Sequence, residues 1–282
     1  MKLSESGFRM SNCDFKSAPA DCAPRGRGSC RATRSTGRSN DVPTGSAGAS
    51  PSRSAVFVAV LSGLLFFSSP ASAGDIPFDS ARAYGYLKEI CDIGGRVSGS
   101  EGMTQQQRLL IKHFQSLGAD MKAQRFDVAH PVSGVPVRMT NLVVSFDPKA
   151  TERVLICCHY DTRPFPDRDL LRPKGVFVGA NDGASGVALL MELGNQMKTI
   201  RPRYGVDFIF FDGEELVFKE GDKYFLGSEY FAKWYAEAKP GYRYVAGVLV
   251  DMIADRSLQL YMEKNSLSKA PDVTRSVWAV AK

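Results

Sequence analysis

Histidine is scarce in this chain, with three among 282 residues, His113, His130 and His159. Any metal site here must therefore draw most of its donors from carboxylates. Cysteine is also sparse, six residues with no CxxC pair, so the spacing of a cysteine zinc site is absent. Long apolar runs are missing too: the longest, Ala55 to Phe67, has 13 residues, short of the roughly 20 needed to span a bilayer. The +6 net charge does not mark a folded basic face. Nine basic residues against four acidic ones fall between Met1 and Arg53, among Ser, Gly, Thr and Pro, and the remainder is near neutral. A nucleic-acid partner would call for basic residues clustered on a folded face beside aromatics, so that class is set aside.

What is present divides the chain in three. Residues 1–53 cannot bury a core and read as a disordered or untranslated basic leader. Residues 54–73 have the form of a signal peptide: Arg53, then the 13-residue apolar run, then the small-residue site Ala71-Ser72-Ala73. That predicts a mature chain from Gly74, secreted or periplasmic, with no stable membrane span after cleavage. The segment ahead of the apolar run is abnormally long, so the true start is expected downstream of Met1, at a non-Met codon, since no Met lies between Met10 and Met103. Residues 74–282 have 44% apolar character behind them in the whole chain and room for one α/β domain.

Within that domain, apolar spacing predicts helices over Phe78 to Ile93, with Asp79 or Ser80 as N-cap, and Gly102 to Leu117, stopped by Gly118. Between them lies Gly94-Gly-Arg-Val-Ser-Gly-Ser-Glu-Gly102, a loop of the kind that shapes pockets. Strands are expected near Met121 to Val128, Val137 to Phe146 and Val154 to Cys158, as a meander leading into a buried sheet. Strand and helix then alternate from Val154 to Asp251, which implies a largely parallel sheet. The whole reads as a single three-layer α/β domain, a central mixed, largely parallel twisted sheet with helices on both faces. Adjacent Cys157 and Cys158 should face opposite sides of their strand and not pair with each other; burial as small apolar groups is expected, with Cys91 a conceivable partner for one of them.

The chemistry concentrates at strand ends. Val206 to Phe211 reads as a buried central strand that delivers Glu214 and Glu215 off its carboxyl end, where open α/β sheets place their sites. Two further strands end on His159 and Asp251, and Asp182 opens a helix. His159, Asp182, Glu214, Glu215 and Asp251 should converge on one sheet edge. Clustered carboxylates repel unless a cation or proton lies between them, and one imidazole with several carboxylates is a donor set for Zn²⁺. Neighbouring side chains in Glu214-Glu215 diverge, so one can bind metal while the other serves as general acid/base.

These residues, His159-Tyr160-Asp161, Gly179-Ala180-Asn181-Asp182-Gly183-Ala184-Ser185-Gly186, Asp212-Gly213-Glu214-Glu215, Gly227-Ser228 and Val250-Asp251-Met252-Ile253, together resemble the zinc aminopeptidase and glutaminyl cyclase family of metallopeptidases. The resemblance runs from Gly95 to about Tyr261. It implies metal ligation by Asp182 and Glu215, with His159 as a further metal residue, Glu214 as general acid/base and Asp251 as a catalytic residue that orients the attack. It implies one zinc in the cyclases and, through His159 and Asp251, two in the aminopeptidases. The peptide substrate would present a free N-terminus. Phe210-Phe211-Asp212-Gly213-Glu214-Glu215 and Phe177-Val178-Gly179-Ala180 are closer to the animal-type cyclases, Gly183-Ala184-Ser185-Gly186-Val187 to the peptidases. The function expected is thus a zinc-dependent glutaminyl-peptide cyclotransferase-like enzyme, an aminoacyltransferase; the alternatives are a zinc aminopeptidase and a non-catalytic binding domain on the same fold. The family's last zinc ligand is a C-terminal His, and no His follows Glu215 here. The domain is accordingly expected to be incomplete at its C-terminus, ending within a helix that begins near Pro271.

Overall fold

A computed structural model of the chain describes residues 78–280. The leader and signal segment expected at 1–53 and 54–73 lie outside the described residues. Two helices come first, α1 (Ser80–Asp92) and α2 (Glu101–Ser116), each with a side-chain cap: Asp79 accepts from the Arg82 amide and Ser100 from the Met103 amide. Such caps satisfy amides that have no partner in the first turn. Then follow β1 (Asp120–Ala129), β2 (Pro136–Ser145), β3 (Glu152–His159), α3 (Ala184–Ile200), β4 (Gly205–Phe211), α4 (Leu226–Ala238), β5 (Arg243–Leu249), α5 (Lys264–Lys269) and α6 (Pro271–Val280). The short α5 was not foreseen; the Glu263 carboxylate starts it by accepting from the Asn265 and Ser266 amides.

The five strands form one sheet in the order β1-β2-β4-β3-β5. β1 and β2 pair antiparallel, as do β2 and β4, whereas β3 pairs parallel with both β4 and β5. Only β2 runs against the rest, so the sheet is mixed and largely parallel in strand direction. The expected meander is corrected at one point: β2 does not pair with β3, because β4 is inserted between them. All seven residues of β4 are buried, and a strand buried on both faces belongs at the centre.

Alternation along β4 builds two layers of core. Val206, Phe208 and Phe210 face Ile90, Leu110, Phe114 and Met191 of α1, α2 and α3. Ile209 and Phe211 face Phe231 of α4, with Trp234 and Tyr235 beside it. Helices therefore cover both faces, and each such ring taken fully from water contributes about 1.5–3 kcal/mol. Cys157 and Cys158 divide the same way, one in each cluster, and these two and Cys91 are free thiols. α1 is fastened to α3 by a buried carboxylate. Glu192 accepts from Arg82 Nε and Nη2, both at 2.7 Å, and from the Asp79 amide, Asn195 and Gln196. Among the described residues no helix is long and apolar enough to cross a membrane.

Candidate active site

Parallel β3 and β4 end side by side, with His159 in register with Phe211, so the residues that follow each strand meet at one edge. Asp161, fully buried, organises that meeting. One of its oxygens accepts from the Glu214 amide at 3.1 Å and the other from the Glu215 amide at 2.9 Å. The carboxylate pair after β4 is thereby fixed by the loop after β3. Behind it, Asp212 accepts from Ser98 Oγ at 2.7 Å and the Thr140 amide at 2.8 Å, while its own amide donates to Asn141. Burial, with Asp161 nearby, pushes Asp212 up to about 7. Asn141 also donates to the Gly227 carbonyl, and a Cβ at residue 227 would fall 2.2 Å from the Asp212 carbonyl oxygen. Gly227 is thus needed for α4 to start this close to the site.

The loop before α3 crosses over the imidazole. Gly183 sits at φ 88, and a Cβ there would lie 2.6 Å from the Asp161 carbonyl oxygen and 3.3 Å from His159 Cε1. Glycine is the residue that adopts this backbone without cost and without a side chain in the way. It sets Asp182 Oδ1 3.1 Å from His159 Nε2, and the segment after β5 brings Asp251 Oδ1 to 3.4 Å from the same nitrogen. On the other ring nitrogen, Nδ1, Asp161 lies at 3.4 Å and Glu214 Oε2 at 4.0 Å. Burial opposes charge on His159, but Asp161, Asp182 and Asp251 outweigh it and hold its proton well above the usual range. In return the His159 contact keeps Asp251 below the usual carboxylate value. Burial pushes Glu214 up to about 7, opposed by His159, and burial with Asp182 raises Glu215, opposed by Arg163.

All five sequence-predicted residues thus occupy one sheet edge, but they do not play equal parts. His159, Asp182 and Asp251 offer donor atoms that lie within 4.8 Å of one another. Both ring nitrogens of His159 and Oε2 of Glu215 are buried without an in-line hydrogen-bond partner; the neighbouring oxygens are close to the imidazole but not aligned with it. Orphaned donors and carboxylates packed around one imidazole fit a cation. His113, bonded to the Met191 carbonyl, and His130, whose Nδ1 accepts from the Val132 amide, are engaged elsewhere. A cavity of about 910 Å³ opens beside the cluster, with Arg163, Phe177, Asn181, Asp182, Glu215 and Met252 in its wall.

Three supporting residues escaped sequence reasoning. Asp161 could have been found from its position two residues past a strand-end histidine. Arg163 donates to Glu215 Oε1 at 2.8 Å, and nothing in a loop rich in Arg, Asp and Pro singles it out. Arg96, fully buried, donates to the carbonyls of Gly94, Val178 and Gly179 while its amide donates to Thr162. Burial pulls its guanidinium down to about 10. The Gly-rich loop read as a pocket shaper is thereby the strap that holds the 178–182 turn.

Residues 141–282 match Peptidase family M28. The chain belongs to this family. Among solved structures it is similar to the glutaminyl cyclase of Fimbriiglobus ruber, 44% identical over 73% of this chain and 72% of that one, with a TM-score of 0.70. A Zn-dependent exopeptidase from Parabacteroides distasonis is 29% identical over 73% of each chain, TM-score 0.67. The glutaminyl-peptide cyclotransferase-like protein of Mus musculus is 33% identical over 55% of this chain and 41% of its own length. The chain spans about two fifths of the length of the curated relatives it matches. M28 neighbours therefore include both cyclases and exopeptidases on one α/β fold.

Proposed function

We propose that this M28 chain is a zinc-dependent glutaminyl-peptide cyclotransferase, closing an N-terminal glutaminyl residue to pyroglutamate with release of ammonia. The observation that carries the reading is the division of labour after β4: Asp161 fixes the Glu214 and Glu215 amides, Glu215 keeps Oε2 buried without a partner in the wall of the cavity that Asp182 also lines, and Glu214, raised by burial to about 7, can both take and give a proton near neutrality. The 44% identity to the Fimbriiglobus ruber glutaminyl cyclase supports the same branch.

Asp182 and Glu215, with His159 close by as a further metal residue, would hold the zinc. Bound there, it would polarise the γ-amide carbonyl of the substrate. Glu214 takes the proton from the α-amine as that nitrogen attacks the carbonyl carbon of the side-chain amide, and returns it to the amide nitrogen as the C–N bond breaks and ammonia departs. Asp251 orients the attacking amine. The cavity beside Asp182 and Glu215 receives the peptide with its free N-terminus. The apolar run ahead of Ala71-Ser72-Ala73 supports export, so that the domain 74–282 works outside the cytoplasm. A second reading, zinc aminopeptidase, is favoured by one feature: Asp251 joins His159 and Asp182 in the tight cluster, which suits a second cation and an activated water.

The test is product analysis on zinc-loaded protein. A glutaminyl peptide should release ammonia, with leucyl amides left intact; cleavage of leucyl amides instead selects the peptidase, and neither reaction with zinc bound leaves a binding domain. Glu214→Gln should lower turnover by about 10²–10⁴-fold while zinc stays bound, because it removes the titrating oxygen and not a ligand. Turnover within a factor of a few of the unmodified protein would remove Glu214 from the mechanism.

A further inference from the structure

The proposed zinc ligand Glu215 has one oxygen already engaged. Its Oε1 accepts from Arg163 Nε at 2.8 Å, whereas its Oε2 is buried with no hydrogen-bond partner. The other arms of the guanidinium are engaged too: Nη1 donates to Asp167 Oδ1 at 2.8 Å and Nη2 to the Tyr224 hydroxyl at 2.7 Å. Arg163 is only a tenth exposed and Glu215 less. The arginine therefore joins three segments, the loop after β3, the carboxylate pair after β4 and the loop before α4, and it forms part of the cavity wall. Five donors in a rigid fork are what make such a three-way junction geometrically definite, which a lysine ammonium cannot reproduce.

We infer that Arg163 is a positioning residue that splits the Glu215 carboxylate, holding Oε1 so that Oε2 alone is presented to the metal. The inference rests on the reading of Glu215 as a zinc ligand. Two consequences follow from the geometry. Glu215 ligates through one oxygen, which leaves room at the cation for a substrate carbonyl. The rotamer of Glu215 is fixed before metal arrives, so ordering it costs nothing on binding. Tyr224 and Asp167 serve the guanidinium rather than the metal, and their loss should be felt less.

Zinc affinity of the full chain, measured by competition with a chromophoric chelator, tests this without reference to turnover. Arg163→Met should weaken zinc binding by about 10–100-fold, the range typical of a lost partner behind a ligand. Arg163→Lys, which keeps the charge but not the fork, should give an intermediate loss, and Tyr224→Phe should stay near the unmodified protein. Affinity in Arg163→Met equal to or tighter than the unmodified protein overturns the inference. Should that variant fail to fold, an unchanged affinity in Arg163→Lys overturns it equally. Glu215→Gln is the companion: if it retains zinc in full, the ligand reading itself fails and the inference with it, whereas weak zinc there with normal zinc in both Arg163 variants sinks the inference alone.

Discussion

The β3–β4 centre of the sheet and the β5 flank contribute to the same site in different physical states. β4 is buried at every position, and His159, Asp161 and Glu215 are all nearly or fully enclosed. β5 has only exposed and half-buried residues, α5 buries none, and α6 buries only Thr274. Asp251 shares this character: its side chain is 42% exposed, against 4% for His159. The difference teaches where rigidity in the site comes from. Residues delivered from the centre are fixed by packing and by the amides that Asp161 accepts, whereas Asp251 lies on a half-exposed segment held by the Val250 amide on the Cys157 carbonyl and by the Ile253 and Ala254 amides on Ser185 and Asn181. One edge of the cluster is enclosed by the core and the other is open to solvent.

Three substitutions would break or sharpen this contrast. The largest effect is expected at the centre: Phe210→Ala removes a ring packed on Phe114 and Tyr160 and should cost about 3–5 kcal/mol in denaturant unfolding. A loss under about 1 kcal/mol would mean that the centre is not the rigid half. Next comes Glu192→Gln, on α3 beneath the centre, with about 1–3 kcal/mol expected from weakening a buried and fully bonded carboxylate. Burial alone would raise Glu192, but Arg82, Gln196 and Asn195 outweigh it and hold it at about 2. Because the folded value is depressed, its contribution is complete above the ordinary carboxylate range and is lost as pH falls through about 2. The gap between the parent and Glu192→Gln should therefore close on acidification, and a gap that widens instead would contradict the assignment. The smallest effect belongs to the flank. Leu249→Ala, at a side chain 60% exposed, should move stability by no more than about 0.5 kcal/mol, and a cost matching Phe210→Ala would erase the distinction between the halves.

How far the sequence disclosed all this follows the same division. Runs such as Val206 to Phe211 announce a buried strand through local composition, and a strand end names the residues just beyond it, so His159, Asp182, Glu214, Glu215 and Asp251 were legible as one group. The insertion of β4 between β2 and β3 was not, since strand neighbours are chosen by burial across the whole sheet and leave no local mark. Nor was the unequal standing of the five. Which oxygen of Glu215 is free depends on Arg163, 52 residues away, and the seating of the Asp182 turn depends on Arg96, 83 residues from Gly179. Loop arginines that bond backbone and carboxylates at such separations have no periodicity to betray them.

The fastening of α1 carries a consequence for the order in which the molecule is assembled. Arg82 and Glu192 are 110 residues apart in the chain, so their contact closes a long loop, which is slow to form relative to local helices and hairpins. During synthesis α1 emerges well before α3, and its inward residue Ile90 has no cover until Phe114, β2 and Met191 have followed. A ribosome adding about 5–20 residues each second takes roughly 5–20 s to reach Glu192 from Arg82. Through that interval Ile90 stays uncovered, and its cover is complete only when β4, which follows Glu192, adds Phe208 and Phe210 to the same cluster.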